Sequence, residues 1–319
     1  MRVMKSLVLS AVIAVSVGVG VANTPPAVAA TQSPPVPLLW KVSDADNAIY
    51  LLGSFHLLKP NDYPLSKDVD AAFTDAESLV FEVSPDEMGS PELGMVMAKA
   101  GLRTDGRQLK DDLGLATAKK LDAWLAANQG ELQKIGMAPQ VMQMFEPWFA
   151  ALTISVLEMT KQGLDPKLGL DAHFVEAGKT SGKRGSGLET GAQQVALFDS
   201  MSLEEQRQFM DEALTSGEEG PKEIEKLHAA WRAGDVDAMW TGMAADMRKE
   251  YPRLYKVINV ERNDAWVPKL ERRLKDPGSD ETLVVVGALH LLGSDGVVEK
   301  LRAKGYKVQR ICSACKTAR

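Results

Sequence analysis

Cysteine is nearly absent from the sequence, which contains only Cys312 and Cys315 among 319 residues. Two cysteines are too few for a cysteine-rich zinc site. In an oxidising compartment the pair is expected to form a local disulfide, and so short a loop stabilises a fold little through chain entropy. A redox role would need a helix start that stabilises a thiolate, which this tail does not offer. The tail is therefore given no catalytic role.

An excess of positive charge is also absent. The sequence has 37 Lys and Arg residues against 43 Asp and Glu residues, a formal net charge of -6. Removal of an N-terminal segment carrying Arg2 and Lys5 would leave 35 basic residues and a net charge of -8. This balance argues against nucleic acid or an anionic membrane as the main partner. With 45% hydrophobic and 25% charged residues the chain has the composition of a folded protein with an ordinary core.

Several well-known catalytic motifs are missing as well. The sequence has no H-E-x-x-H pair of zinc ligands, no glycine-rich phosphate loop and no nucleophile elbow. It has only four histidines, which limits histidine-based chemistry to a few positions. Any catalytic site must therefore be sought in a less common pattern of residues.

The N-terminus has the pattern of a secretory signal peptide over residues 1–30. Arg2 and Lys5 supply a charged start, residues 7–22 supply an apolar run, and residues 27–30 offer an A-x-A cleavage site. The alternative is an uncleaved membrane anchor, but the run is interrupted by glycines and has no basic stop-transfer flank. We therefore predict a periplasmic or secreted protein with no membrane span after cleavage, folded as a single domain over residues 31–319.

Predicted strands cluster at the two ends of the chain. They cover residues 38–42, 48–52, 78–83, 282–286 and 306–311, and the first two form a hairpin around residues 43–47. Helices are predicted over residues 66–77, 257–274 and 296–304, and residues 85–249 have a mostly helical pattern with one strand near residues 187–189. Neither group of apolar strands can bury itself alone. The prediction is an α/β protein whose central mixed sheet is built from both chain ends, with a large helical insertion over about residues 85–249.

An internal repeat is the most informative feature. Residues 51–58 read LLGSFHLL and align without a gap with residues 285–292, which read VVGALHLL. In each copy an apolar strand breaks at a glycine, where the backbone can turn sharply, and presents a histidine three residues later. Ligands of open α/β sheets usually bind at such strand ends. A lone histidine beside apolar residues is more often a core residue, but two in matching turns indicate a shared site at His56 and His290.

Two acidic residues have strand-end positions of their own. Glu82 follows the apolar residues of a predicted strand, where a carboxylate is costly to bury unless it is paired or liganded, and Glu189 has a similar position. Asp171 is either a helix N-cap or a functional residue. Histidines with carboxylates suit a divalent transition metal that lowers the pKa of a bound water. The same groups without a metal could act as general base and acid, or hold an anion.

These motifs together resemble those of the TraB/PrgY/GumN family, which is related to the Tiki metalloproteases. The resemblance runs from about residue 38 to residue 308. It rests on residues 50–56, 81–82, 169–171, 188–190, 261–263 and 286–293, which include both Gly-x-x-His turns and the intervening Glu82. The combination is more specific than any one of the motifs.

The resemblance implies an α/β fold related to erythromycin-esterase and ChaN-like proteins, with a metal-dependent hydrolase site. Its residues, carried over by motif, are a metal set of His56, Glu82 and His290 and a catalytic set of Glu82, Glu189, Arg262 and Asn263. The metal would be Mn, Co, Zn or Fe, and Arg262 could neutralise a substrate carboxylate or a developing oxyanion.

The predicted function is therefore a metal-dependent, peptidase-like hydrolase that acts on a peptide or another small substrate. The alternative is a non-enzymatic periplasmic protein that sequesters a peptide, haem or a metal in the same pocket. Family membership alone does not decide between them.

Overall fold

The computed structural model describes residues 33–276 and 281–315, without the side chains of residues 216–219. A single six-stranded sheet runs through these residues in the order β4-β3-β5-β2-β1-β6. The strands are β1 Leu39–Ser43, β2 Ala48–Ser54, β3 Ser78–Val83, β4 Arg184–Glu189, β5 Thr282–Gly287 and β6 Lys307–Arg310. The predicted signal peptide over residues 1–30 lies outside the described residues.

The sheet is mixed, with a parallel part and an antiparallel part. Strands β4, β3, β5 and β2 run parallel to one another, while β1 is antiparallel to both β2 and β6. The four parallel strands all end at one edge of the sheet, called here the carboxyl edge. Open sheets with parallel strands generally bind ligands at this edge.

The two strands of the internal repeat are neighbours. Strands β2 and β5 pair in parallel with Ser54 opposite Gly287. Every residue of both strands is buried, as expected for central parallel strands covered on both faces. Because the strands share a direction, the turns that carry His56 and His290 leave the sheet together at the carboxyl edge.

Helices make up most of the rest of the described chain. They are α1 Lys67–Asp75, α2 Pro85–Met88, α3 Pro91–Gly101, α4 Leu109–Asp112, α5 Leu115–Ala127, α6 Gln129–Lys134, α7 Pro139–Met142, α8 Pro147–Lys161, α9 Leu170–Ser181, α10 Gly191–Asp199, α11 Leu203–Ala233, α12 Val236–Trp240, α13 Asp246–Glu250, α14 Pro252–Tyr255, α15 Glu261–Lys275 and α16 Val297–Ala303. Short 3-10 turns form at Pro60–Asp62, Pro166–Leu168 and Ala288–Leu291, and π-helical turns at Thr241–Ala245 and Lys256–Val260.

The predicted fold class is confirmed. The sheet draws strands from both ends of the chain, and β4 is the one strand in the described part of residues 85–249. The predicted helix over residues 257–274 begins as a π-helical turn and is α-helical from Glu261 to Lys275. The relation to erythromycin-esterase and ChaN-like folds and the division into a leader and a single domain stay predictions.

Local sequence signals set the helices that border the carboxyl edge. Helix α10 starts directly after β4 because Thr190 and Gln193 form a reciprocal capping box. The backbone N–H of Gln193 donates to Thr190 Oγ1 over 3.2 Å, and the backbone N–H of Thr190 donates to Oε1 of Gln193 over 2.8 Å. Helix α9 ends at Gly182, whose φ of 72° is in the left-handed region that favours glycine. These residues set where α9 ends and where α10 begins.

Two further expectations concern the tail and the membrane. Cys312 and Cys315 form the predicted local disulfide. Within the described ranges, no helix combines the length and the apolar character needed to cross a membrane.

Candidate functional site

Helix α9 starts against the backbone of the first histidine turn. A side chain at Gly169, the residue that caps the helix, would place its Cβ 1.9 Å from the carbonyl oxygen of His56. The amide of Leu170 donates to the Phe55 carbonyl over 3.2 Å. Glycine is therefore required at position 169, and this close approach brings Asp171, in the first turn of the helix, next to His56.

Asp171 is a partner of His56 and not a helix cap. Its Oδ2 lies 2.6 Å from Nδ1 of His56, and the hydroxyl of Ser54 donates to the same oxygen. The N-cap of α9 is Gly169, so of the two interpretations of Asp171 the structure excludes the cap. Ser54 and His56 are two residues apart, which in extended backbone places both on one side of the chain.

Burial and the contact between His56 and Asp171 have opposite effects on the pKa of each group. Burial alone would lower the pKa of His56, but the negative charge and hydrogen bond of Asp171, with a further contribution from Glu82, raise that pKa above its ordinary value of 6.5. Burial alone would raise the pKa of Asp171, but the charge and hydrogen bond of His56 and the Ser54 hydroxyl lower it below 3.8. The pair therefore favours an imidazolium beside a carboxylate.

The second ring nitrogen of His56 faces the interior of the site. Its Nε2 is buried and has no hydrogen-bond partner within the described parts of the chain. A Cβ built on Gly287 would lie 3.1 Å from this Nε2 and also 3.1 Å from Oε1 of Glu82. The two atoms are thus at most twice that distance apart, and both lie against Gly287, where a side chain would crowd them.

The carboxylate of Glu82, at the end of β3, accepts hydrogen bonds from neutral and cationic donors. Its Oε1 accepts the backbone N–H of Gly287 over 2.8 Å. Its Oε2 accepts the amide of Gln194 over 2.9 Å and the Nη2 of Arg262 over 2.5 Å. The Glu82 side chain is 8% exposed, so this carboxylate has the partners that its burial demands.

Arg262 is the central cation of the site. Its Nε lies 3.0 Å from Oε1 of Glu189, and its Nη2 donates to both Glu82 and Glu189. Its Nη1 donates to the carbonyl of Ile258 over 3.2 Å and to Nε2 of His290 over 2.9 Å. A guanidinium has five N–H donors, and these acceptors account for all five directions. The predicted contact with a substrate carboxylate or oxyanion would need one of these bonds to break.

The surroundings of Arg262 keep it charged and in place. Burial lowers the pKa of its guanidinium, but the two carboxylates of Glu82 and Glu189 raise it above the ordinary value. The indole of Trp266, one helical turn further along α15, lies 4.8 Å from the guanidinium carbon and donates to Glu189 over 3.2 Å. Residues four apart share one face of a helix, so Arg262 and Trp266 lie on the same face of α15.

His290 is held on both ring nitrogens. Asn263 donates its amide to the carbonyl of Asp295 over 2.8 Å, which turns its Oδ1 toward Nδ1 of His290 at 2.7 Å. Nδ1 therefore carries the proton, and Nε2 accepts from Arg262. Burial, the charge of Arg262 and the charge of His56 lower the pKa of His290 well below 6.5. His290 is a neutral, fully buried histidine.

All six predicted site residues lie in this one cluster at the carboxyl edge, namely His56, Glu82, Glu189, Arg262, Asn263 and His290. The role of Asp171 was open from the sequence, and Ser54, Gln194 and Trp266 were not predicted. Ser54 and Trp266 could have been found from strand and helix spacing. Gln194 could not, since nothing in a capped helix start marks which amide faces a carboxylate in another element.

The three predicted metal ligands do not fit a shared ion in this arrangement. Among the described residues, no group of three or more His, Cys, Asp and Glu side chains is positioned to hold a metal. The reason is visible at His290, whose Nε2 lies 3.9 Å from Glu82 but is occupied by the N–H of Arg262. The divalent metal and its identity stay predictions, and no chemical step is assigned to it below.

Comparison with known proteins identifies a family. The model of the TraB/PrgY/gumN family matches residues 38–310, a span that includes every residue of the site. Searches of curated proteins and of solved structures each found no match.

Proposed function

Because the chain belongs to the TraB/PrgY/gumN family, and because Nε2 of His56 and Oε1 of Glu82 both lie against Gly287 in its buried site, we propose that the protein is a hydrolase that uses His56 as its general base. The proposed substrate is an amide bond in a peptide or another small molecule. The proposed location is the periplasm or the cell exterior, on the ground of the predicted leader at residues 1–30.

The observation that carries the proposal is the unequal use of the two nitrogens of His56. Asp171 fixes the ring through Nδ1, while Nε2 is buried, unpartnered within the described residues and close to Gly287 and Glu82. A general base needs this division, because one nitrogen must be oriented while the other accepts a proton. The step uses the neutral ring, in which Nδ1 carries the proton that faces Asp171 and Nε2 carries the lone pair. The pKa of His56 is raised above 6.5, so once the imidazolium has lost its proton, Nε2 is a stronger proton acceptor than that of an ordinary histidine.

The proposed reaction follows from this geometry. A water held between Nε2 of His56 and Oε1 of Glu82 gives a proton to Nε2 as its oxygen attacks the substrate carbonyl carbon. Asp171 stabilises the imidazolium that forms. Nε2–H then returns the proton to the leaving amine as the carbon–nitrogen bond breaks, so that one water is consumed and an acid and an amine are released. Arg262, held by His290 and Glu189, keeps Glu82 in place.

Turnover of a peptide library by the purified protein tests the proposal. Replacing the base by His56→Gln should lower kcat/KM by about 10²- to 10⁴-fold, the usual contribution of a general base. His173→Gln is the matched control, because His173 lies on α9 two residues beyond Asp171 with its ring against Tyr63 and Phe174. The control should keep its activity.

The outcomes separate the proposal from its rival. Tight binding of a peptide or haem, with no turnover by the unmodified protein, would favour a sequestering protein instead. Equal loss of activity in His56→Gln and His173→Gln would also count against His56 as the base. Melting temperatures of both variants, measured alongside, identify any loss that comes from unfolding.

A further inference from the structure

The position of Arg262 bears on the predicted metal. We infer that its guanidinium takes the place of a divalent cation in this site, so that the folded protein does not bind a transition metal through His56, Glu82 and His290. The inference concerns the same site as the proposed hydrolase but makes no use of turnover. A measurement of metal binding can therefore contradict the inference without contradicting the proposed function.

The hydrogen bonds of Arg262 occupy atoms that a metal ion would need. Arg262 is hydrogen-bonded to two of the three predicted ligands, at 2.5 Å from Oε2 of Glu82 and 2.9 Å from Nε2 of His290. A neutral imidazole nitrogen has one lone pair, and a metal needs that lone pair at about 2.0–2.1 Å. The guanidinium and a metal ion therefore compete for the same atom of His290. Since Nδ1 of His290 carries a proton for Asn263, the ring has no second lone pair to offer.

The positive charge of Arg262 also disfavours a divalent ion in the same space. Two carboxylates with side chains that are 8% and 9% exposed, those of Glu82 and Glu189, surround the guanidinium of Arg262. Arginine cannot be deprotonated under physiological conditions, so a divalent ion in the same space would add two charges beside a fixed positive one. With Arg262 present, one fixed positive charge already lies between the two carboxylates.

Arg262 is also held in place by contacts other than its ion pairs. Its Nη1 donates to the carbonyl of Ile258, one helical turn earlier, and Trp266 packs against its guanidinium. Moving it aside for a metal would break these contacts and the bonds to both carboxylates. While Arg262 occupies His290, Nε2 of His56 and Oε1 of Glu82 beside Gly287 are the two predicted ligand atoms left for an ion, fewer than the three protein ligands that catalytic zinc sites use.

Metal binding by the purified protein and three variants tests the inference. Each is dialysed against Mn²⁺, Co²⁺ or Zn²⁺ in turn, and bound metal is measured by elemental analysis together with the melting temperature. Arg262→Met removes the cation, Arg262→Lys keeps the charge, and Arg272→Met removes an exposed arginine from the same helix. The unmodified protein, Arg262→Lys and Arg272→Met should bind no stoichiometric metal. Arg262→Met should bind about one equivalent and gain thermal stability only when metal is present.

Two results would overturn the inference. One is stoichiometric metal in the unmodified protein that is lost in Glu82→Gln and His290→Gln. The other is a folded Arg262→Met protein that binds none, since the guanidinium would then not be what keeps an ion out.

If Arg262→Met does not fold, Arg262→Met combined with Glu189→Gln replaces it, because this variant leaves one uncompensated carboxylate fewer. The titration of the unmodified protein decides the first result in any case. A protein that binds no metal and cleaves no peptide would contradict the proposed function and leave the inference intact.

Discussion

Nδ1 of His56 and Oδ2 of Asp171 lie 2.6 Å apart, and this contact gives the two nitrogens of the ring different tasks. The carboxylate orients the ring from one side, and Nε2 on the other side faces Glu82. His290, the matching histidine of the internal repeat, has no such division, because both of its nitrogens are bonded to protein groups. The repeat therefore contains one histidine suited to proton transfer and one that supports the site.

Asp171→Asn should inactivate the protein with its fold kept. The amide is the same size, but it cannot stabilise an imidazolium and can favour the wrong ring tautomer of His56. In a serine protease triad the comparable change lowers kcat by about 10⁴-fold, and we expect a loss of about 10²- to 10⁴-fold in kcat with a smaller change in KM. Steady-state kinetics on any substrate found in the library measure both. Unchanged kcat would show that Asp171 does not orient the base.

The same pair predicts a pH window of stability. The pKa of Asp171 is lowered in the folded protein, so its contribution is present above its ordinary value of 3.8 and is lost as the pH falls through the lowered value. The pKa of His56 is raised, so its contribution is complete below 6.5 and is lost as the pH rises through the raised value. The pair should therefore stabilise most between about pH 4 and 6.5.

Urea unfolding of the unmodified protein and of Asp171→Asn at several pH values measures this window. The difference in unfolding free energy should be largest between the two ordinary pKa values and should shrink toward acid and toward alkaline pH. Glu82 and Arg262 also act on His56, but both are present in each protein. A difference that does not vary with pH would contradict the ionic character of the pair.

Gly287→Ala should crowd Nε2 of His56 and Oε1 of Glu82. The new Cβ would lie 3.1 Å from both side chains, so we expect loss of turnover and a destabilisation of about 1–3 kcal/mol from overpacking. Gly94→Ala is the control, since a Cβ at this position within α3 meets nothing within 4 Å. Replacing a helix-interior glycine by alanine should stabilise by about 0.5–1 kcal/mol. If activity and unfolding free energy changed alike in both variants, the contact of Gly287 with His56 and Glu82 would not be important for function.

The central sheet could be predicted because its inner strands are continuously apolar. Strands β2 and β5 are buried at every position, and such runs bounded by glycine are typical of parallel strands. Strand β4 was predicted only near residues 187–189 because its sequence RGSGLE is polar and rich in glycine, although it pairs from Arg184 onward. The π-helical turn before α15 was not predicted, since the apolar period there is that of an ordinary helix.

The members of the site could be predicted, but their partners could not. Strand ends and motif residues identify His56, Glu82, Glu189, Arg262, Asn263 and His290 from the sequence. Which of them bond to one another depends on contacts between elements far apart in the chain, such as the parallel register of Ser54 with Gly287. The two repeated histidines look alike in the sequence. In the structure they differ, because His56 is bonded to Asp171 and His290 is bonded to Arg262.

His290 should therefore contribute strongly to stability. Its side chain is 0% exposed and bonded to Asn263 and Arg262, so His290→Ala leaves a cavity and two buried groups without a partner. We expect a loss of about 2–4 kcal/mol, seen as a melting temperature several degrees lower. A double-mutant cycle with Asn263→Ala isolates the bond, because the two losses should overlap by about 0.5–3 kcal/mol when both residues are changed. Strictly additive losses would show that the 2.7 Å contact between Asn263 and His290 adds nothing to stability. An unaltered denaturation midpoint in His290→Ala would mean that the ring lies in an open cleft and not in the core.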